Sequence, residues 1–360
     1  MNFDWTLLVT VVLIGVIGVV NIYSSTFPHT GNFNPLYLKQ IYWLLLGMVL
    51  MFSILSFDYR TLIRYAYPFF LFCLILLTLV MFLGRSSSGS QRWLQLGFFS
   101  FQPSELTKIA LILALTRFFT EEDNPHPHGL HDLLVPFLIF IIPALLVFKQ
   151  PDLGTAVLLV LIYVSILAFI GLHLRTWITL GVGCVALAPL LWHFLKAYQK
   201  TRLLTFLNPD LDPLKTGYHI IQSKIAVGSG TFFGKGFLKG TQSQLHFLPE
   251  QHTDFIFSVL AEEWGFMGSF ILLFLILLLI SRGLKIAYTS KDRAGAILAI
   301  GISAMIFWQS FINVGMVLGI VPVVGVPLPL LSYGGTSIVA SFIGIGILMN
   351  ISMRRFMLSR

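Results

Sequence analysis

Charge is scarce in this chain. Only 11% of its 360 residues are Asp, Glu, Lys or Arg, against 56% hydrophobic ones. Soluble domains carry about 25% charged residues, so that class is excluded, and a mean hydropathy of +0.87 points to an integral membrane protein. Cysteine is nearly missing too, with two in all. Cys73 and Cys184 fall in apolar runs, where a thiol acts as a small core group, so neither a disulfide framework nor a cysteine-rich metal site is expected. No Walker loop occurs, which argues against ATP hydrolysis, and no internal repeat stands out. The first apolar run lacks the marks of a secretory signal: Asp4 is the only charged group before it and no small-residue cleavage site follows. An uncleaved anchor is expected there.

What the chain does have is long apolar runs. Stretches able to span about 30 Å of hydrocarbon lie at 5–23, 40–57, 65–84, 133–148, 153–174, 176–195, 254–280, 294–321 and 330–353. A tenth, 103–119, opens with the helix-start pattern Pro103-Ser104-Glu105 and carries Lys108 before its apolar part. The expected fold is an all-α integral membrane protein of about ten transmembrane helices, one polytopic domain over 1–360. One long extracytoplasmic loop, 194–253, falls between helices 7 and 8.

Basic residues set the orientation. Arg60, Arg64, Arg117, Arg175, Arg282, Lys285, Lys291, Arg293, Arg354, Arg355 and Arg360 collect on one side of a ten-span arrangement. The short connections of the other side hold only Lys39, Arg85, Arg92 and Lys149. The first side is therefore expected in the cytoplasm, with both termini. The long loop is itself basic, carrying Lys215, Lys224, Lys235 and Lys239 among others, more than its Asp210, Asp212 and Glu250 offset. Its 220–240 part mixes amphipathic spacing with GSGTFFGKG, the pattern of a short helix on the membrane followed by a glycine turn. A basic surface beside a bilayer suits phosphate or anionic headgroups, although a solvated loop has the same composition.

Candidate site residues follow from depth. Gln242–Gly268 runs from a polar loop into an apolar stretch, with Glu250, His252, Thr253 and Asp254 at the junction and Glu262 and Glu263 further along. Acidic groups inside an apolar run are costly and usually face a cavity or a partner. On the expected topology Arg92, Glu105, Lys108, Asp152, Lys224, Asp254 and Ser332 all reach the outer face. Each has a plainer reading: Arg92-Trp93 as an interfacial anchor, Asp152 as a helix cap, Glu105 and Lys108 as a structural ion pair one turn apart. The segment 322–336 holds three prolines and three glycines, so its irregular backbone should pack over the same outer cavity. His126, His128 and His131 read as a solvated, proline-interrupted loop instead of a metal site. Gathered together, the outer groups suit transfer from a diphosphate-linked donor to a hydroxyl: one carboxylate takes the proton and cations steady the departing diphosphate. Asp254, at the water-to-membrane junction, is the natural base.

Four strings carry a resemblance: RWLQLGFFSFQPSELTKIA, QPDLGTA, GYHIIQSKIAVGSGTFFGKGFLKGTQSQLHFLPEQHTDFIFSVLAEEWGFMG and GIVPVVGVPLPLLSYGGTS. They closely resemble the SEDS family (shape, elongation, division and sporulation), in its RodA branch. The resemblance implies a peptidoglycan glycosyltransferase that polymerises lipid II into glycan strands at the outer face of the bacterial inner membrane, for cell elongation and rod shape. Asp254 matches the family's HTD aspartate, and Glu105 and Lys108 its QPSE-x-x-K pair. Gln242, His252, Thr253 and Ser332 lie in matching motifs. The implied partners are lipid II, the growing strand, the bilayer and a class B penicillin-binding protein, with no nucleic acid. No cofactor is implied, while the diphosphate leaves room for a divalent cation. The rivals are a lipid II flippase and a non-enzymatic activator of the penicillin-binding protein.

Overall fold

A computed structural model describes residues 3–27, 36–87, 90–96, 99–121, 129–208, 216–245, 247 and 250–355. His126, His128, Asp210, Asp212, Lys215 and Arg360 lie outside the described residues. The helices are α1 (Trp5–Ser25), α2 (Leu36–Ser56), α3 (Tyr59–Arg64), α4 (Ala66–Leu83), α5 (Pro103–Glu121), α6 (Leu134–Lys149) and α7 (Leu153–Ile170). They continue with α8 (Leu174–Phe194), α9 (Ala197–Leu207), α10 (Thr216–Ser229), α11 (Thr241–Gln244), α12 (Ile256–Tyr288), α13 (Arg293–Leu318) and α14 (Gly335–Arg354).

Among the described residues seven helices are long and apolar enough to cross a membrane: α1, α2, α4, α7, α12, α13 and α14. The fold is thus largely helical and multi-pass. It falls short of ten such helices for local reasons. α6 and the apolar part of α8, Leu174–Leu187, are shorter, and α5 carries Glu105, Lys108, Arg117 and Glu121 along its length.

The stretch after α4 departs from an all-α reading. It forms three short antiparallel strands, β1 (Arg85–Ser87), β2 (Ser90–Leu96) and β3 (Phe99–Phe101), in the order β1-β2-β3. Arg85 pairs with Trp93 and Leu94 with Phe101. The strict alternation of Leu94-Gln95-Leu96 and Phe99-Ser100-Phe101 is the signal for it, over runs too short to stand out in a chain this apolar. The loop between α8 and α12 is structured as well: α9, α10 and α11 occupy it, and α10 is followed by the glycine turn the sequence suggests.

The chain divides into two compact units. One comprises Met1–Leu55, Arg202–Arg282 and Ile306–Met349, and the other Ser56–Thr201, Gly283–Met305 and Asn350–Arg360. In the second unit α5 is the central helix. Ile109 to Leu115 are buried on every face, as expected for a helix apolar all round. Gly301 lets α13 approach it, since a Cβ there would lie 2.6 Å from Ile112. In the first unit small residues do the same work: a Cβ at Gly47 would meet the Phe342 ring at 2.3 Å, and one at Gly346 would meet the Met51 carbonyl at 3.1 Å.

α12 is broken within the first unit. Gly265 has φ 63° and ψ −157°, a conformation that only glycine adopts readily. The break leaves backbone groups unpaired on both sides, and the turn after α10 satisfies them. The N–H groups of Phe266 and Met267 donate to the carbonyls of Thr231 and Phe232 at 2.9 and 3.1 Å. Lys235 and Gly236 donate in turn to the carbonyls of Glu262 and Glu263, each at 3.0 Å. Gly234 makes this possible, because a Cβ there would lie 2.1 Å from the Glu263 carbonyl oxygen. Beyond the break, 266–288 rises roughly 34 Å at 1.5 Å per residue, enough to cross a bilayer alone. Glu262 and Glu263 thus lie just before the break, in the shorter part of α12. A Cβ at residue 265 would approach the Gly234 nitrogen to 2.3 Å. Gly265→Ala is expected to cost at least about 1–3 kcal/mol in backbone strain and to release the turn. Protease cleavage within 230–240 and the thermal midpoint measure both.

Candidate active site

Asp254 sits in the tight turn that leads into α12, half-buried. The N–H groups of Thr253, Asp254 and Phe255 all point at the Glu250 carbonyl, at 3.1, 3.2 and 3.4 Å. Glu250 itself takes a positive φ of 50°. The carbonyls of the turn are taken up one after another by distant segments. Tyr333 N–H donates to His252 O at 2.9 Å, Ser332 Oγ to Thr253 O at 2.6 Å, and Asn313 Nδ2 to Asp254 O at 2.9 Å. From α1, Asn21 Nδ2 donates to Ile256 O at 2.9 Å, while Gln251 Nε2 reaches back to Ser25 O at 2.6 Å. The aspartate turn is therefore held through its backbone by segments from three distant parts of the chain.

The irregular 319–334 segment lies beside that carboxylate. Gly325 has φ 71°, and a Cβ there would come within 3.1 Å of Asp254 Oδ2. Asn313 also donates to Val326 O at 2.7 Å, and Ser332 Oγ accepts from Leu328 N–H at 2.8 Å. The same two side chains thus fix the segment and the aspartate turn together. His252 faces the Tyr333 ring at 5.9 Å. Burial lowers the pKa of its imidazole below the ordinary histidine value, with the Glu250 charge opposing in part.

α10 packs against the first turn of α12. Ser223 Oγ donates to Val317 O at 2.7 Å and lies 2.9 Å from Ser258 Oγ, and His219 stacks on Phe255 at 6.0 Å. Lys224, next to Ser223 on that helix, is exposed and runs past Gly319, where a Cβ would lie 2.7 Å from its Nζ. Gln242 belongs to a different cluster. Its N–H donates to the buried Glu262 at 2.9 Å, beside Ser243 N–H at 3.1 Å, Thr241 Oγ1 at 3.1 Å and Lys235 Nζ at 2.8 Å. Glu263 accepts from Ser24 Oγ.

The remaining candidates lie in the second unit and pair with one another. Asp152 is buried and caps α7, accepting from Thr155 N–H at 3.2 Å, Thr155 Oγ1 at 3.0 Å and Gln102 Nε2 at 3.1 Å. Arg92 approaches it to 3.6 Å and donates to the Pro151 carbonyl. Lys108 and Glu105 form a buried pair at 2.9 Å. For Asp152, Glu105 and Lys108 the plainer readings hold as geometry, a cap and an ion pair, whereas Arg92 is tied to the capping carboxylate and the Pro151 carbonyl. Among the described residues no three His, Cys, Asp or Glu side chains gather as around a metal ion.

The amides that clamp the aspartate turn escaped the sequence reading. Their signal was present, since Asn21 and Asn313 are polar groups inside apolar helices, which calls for a partner. Which partner they take depends on the tertiary fold.

With this geometry established, comparison with known proteins identifies the family. The cell cycle protein family model FTSW_RODA_SPOVE matches residues 4–356. The chain is 44% identical over 363 residues to the peptidoglycan glycosyltransferase MrdB of Escherichia coli (strain K12), covering 100% of this chain and 96% of that protein. It is 36% identical over 431 residues to the peptidoglycan glycosyltransferase RodA of Treponema pallidum, covering 98% of each. A solved structure described as the structural coordination of polymerization and crosslinking by a peptidoglycan synthase complex superposes with a TM-score of 0.83, at 34% identity over 99% of both chains. The rod shape determining protein RodA of Thermus thermophilus does so at 0.74, with 31% identity over 99% of both chains. The chain belongs to the SEDS family, within its RodA, FtsW and MrdB branch of peptidoglycan glycosyltransferases.

Proposed function

We propose that this glycosyltransferase polymerises lipid II at the outer face of the inner membrane for elongation, with Asp254 as general base. In this reading Asp254 takes the proton of the acceptor 4-hydroxyl. The oxygen attacks the anomeric carbon of the donor, and the bond to undecaprenyl diphosphate breaks, with inversion. Lys224, exposed on α10 in the same unit as Asp254, is the cation offered to the departing diphosphate. Arg92 and Lys108 are candidates for that role from the sequence, and in the structure they pair with Asp152 and Glu105. His252, Thr253 and Ser332 shape the acid's surroundings, while Gln242 belongs with Glu262. The observation that carries the reading is the clamp on residues 252–256, which fixes the backbone of Asp254 beside the irregular 319–334 segment. A base must be pre-positioned to act within hydrogen-bond reach of its substrate.

The topology that goes with it has ten spans, both termini in the cytoplasm and 194–253 outside, on the bias of Lys and Arg. A class B penicillin-binding protein is the partner that would crosslink the strand, in line with the synthase complex that the fold matches.

The break at Gly265 is the feature that speaks for transport of lipid II, because broken helices mark many transporters. Here, however, the 231–236 turn fills the break with backbone hydrogen bonds, which suits a fixed element better than a moving one. Purified protein given lipid II should yield glycan strands on a gel. Headgroup accessibility in proteoliposomes should stay unchanged. Accessibility without strands would establish a flippase, and neither would leave an activator.

A further inference from the structure

The turn that patches α12 also carries a row of aromatic rings. Phe233 meets Phe232 at 4.9 Å, Phe232 meets Phe266 at 5.6 Å, and Phe266 meets Phe270 at 6.2 Å. Beside them Phe237 meets Trp264 at 6.4 Å. All six are between 40% and 77% exposed, Phe233 the most. A contiguous apolar strip of this kind is unfavourable in water and marks contact with an apolar phase or a partner.

Three observations select lipid. Phe266 and Phe270 stand at the start of 266–288, the part of α12 long enough to cross the bilayer, and the bonds from Phe266 and Met267 to Thr231 and Phe232 bring the turn level with that start. A loop can enter an apolar medium only if its backbone groups are paired. Here the carbonyls of Thr231 and Phe232 and the N–H groups of Gly234, Lys235 and Gly236 all are. Finally, the charge within the turn faces inward: Lys235 Nζ lies 2.7 Å from Thr241 Oγ1 and 2.8 Å from the buried Glu262.

We infer that 231–237 is a wedge in one leaflet of the bilayer, with the rings of Phe232 and Phe233 among lipid acyl chains just below the headgroups. Aromatic rings concentrate at that depth in membrane proteins. Through its bonds to Glu262 and Glu263 the same turn ties the outer half of α12, and with it the Asp254 turn, to a fixed level in the membrane. The inference is independent of which residue acts as base.

A nitroxide label reads the depth directly. The full chain with Cys184→Ser receives Phe233→Cys, and separate samples receive Phe237→Cys, Phe270→Cys or Leu245→Cys. Cys73 is fully buried and Leu245 is exposed on the loop beyond α11. In vesicles of phosphatidylethanolamine and phosphatidylglycerol, the ratio of collisions with oxygen to those with nickel-EDDA should match Phe270 at position 233 and exceed the Leu245 value several-fold. Position 237 should lie between them. A Leu245-like ratio at both 233 and 237 would overturn the wedge. So would shielding that appears only when a partner protein is added, which would make the strip a protein interface.

Discussion

Asp254→Asn should leave a folded protein that makes no glycan strands. Asparagine has the shape of aspartate, and the bonds from Asn313, Ser332 and Tyr333 run to backbone atoms of the turn, so the substitution removes the basic carboxylate while keeping those bonds. Loss of a general base typically lowers turnover by about 10²–10⁴-fold. The thermal midpoint in detergent should stay at the wild-type value while the strand assay falls to background. Strands at the wild-type rate would remove Asp254 from the mechanism, and a collapsed midpoint would assign it to the fold instead.

The second large effect concerns stability. Lys108 and Glu105 have side chains 1% and 4% exposed and lie 2.9 Å apart in the central helix of their unit. Lys108→Met would strand the carboxylate where water cannot reach it, and breaking one side of a buried pair costs about 3–5 kcal/mol. Removing both charges, as Glu105→Gln with Lys108→Met, should recover most of that loss. Thermal unfolding of these two variants and of Glu105→Gln alone completes the cycle, and equal midpoints for Lys108→Met and the double variant would refute the pairing argument. The Lys235 and Glu262 pair should behave differently. The Lys235 side chain is 25% exposed, so when Glu262 is removed the ammonium can turn to water. Glu262→Gln should therefore cost less than Lys108→Met, although it weakens the bonds from Gln242 and Ser243.

How each candidate residue fared depends on the range over which its environment is set. Asp152 followed its local pattern, because a carboxylate three residues before Thr155 meets an unpaired N–H at a helix start whatever else surrounds it. Glu105 and Lys108 did too, being one turn apart on a single helix. Gln242 did not: it belongs with Glu262, twenty positions along the chain, and no local rule joins them. The clamp on the Asp254 turn is more remote still, since Asn21 and Ile256 are separated by 235 positions and Ser25 and Gln251 by 226.

Hydropathy and the family motifs were enough to establish a multi-pass membrane glycosyltransferase and to name Asp254 as the candidate base, because each is read within a short window of residues. The break at Gly265, the turn that closes it, the small sheet after α4 and the inward course of Lys235 required the folded chain. All of them answer one demand: every backbone group or charge withdrawn from water must find a partner, and here those partners come from segments that meet only in three dimensions.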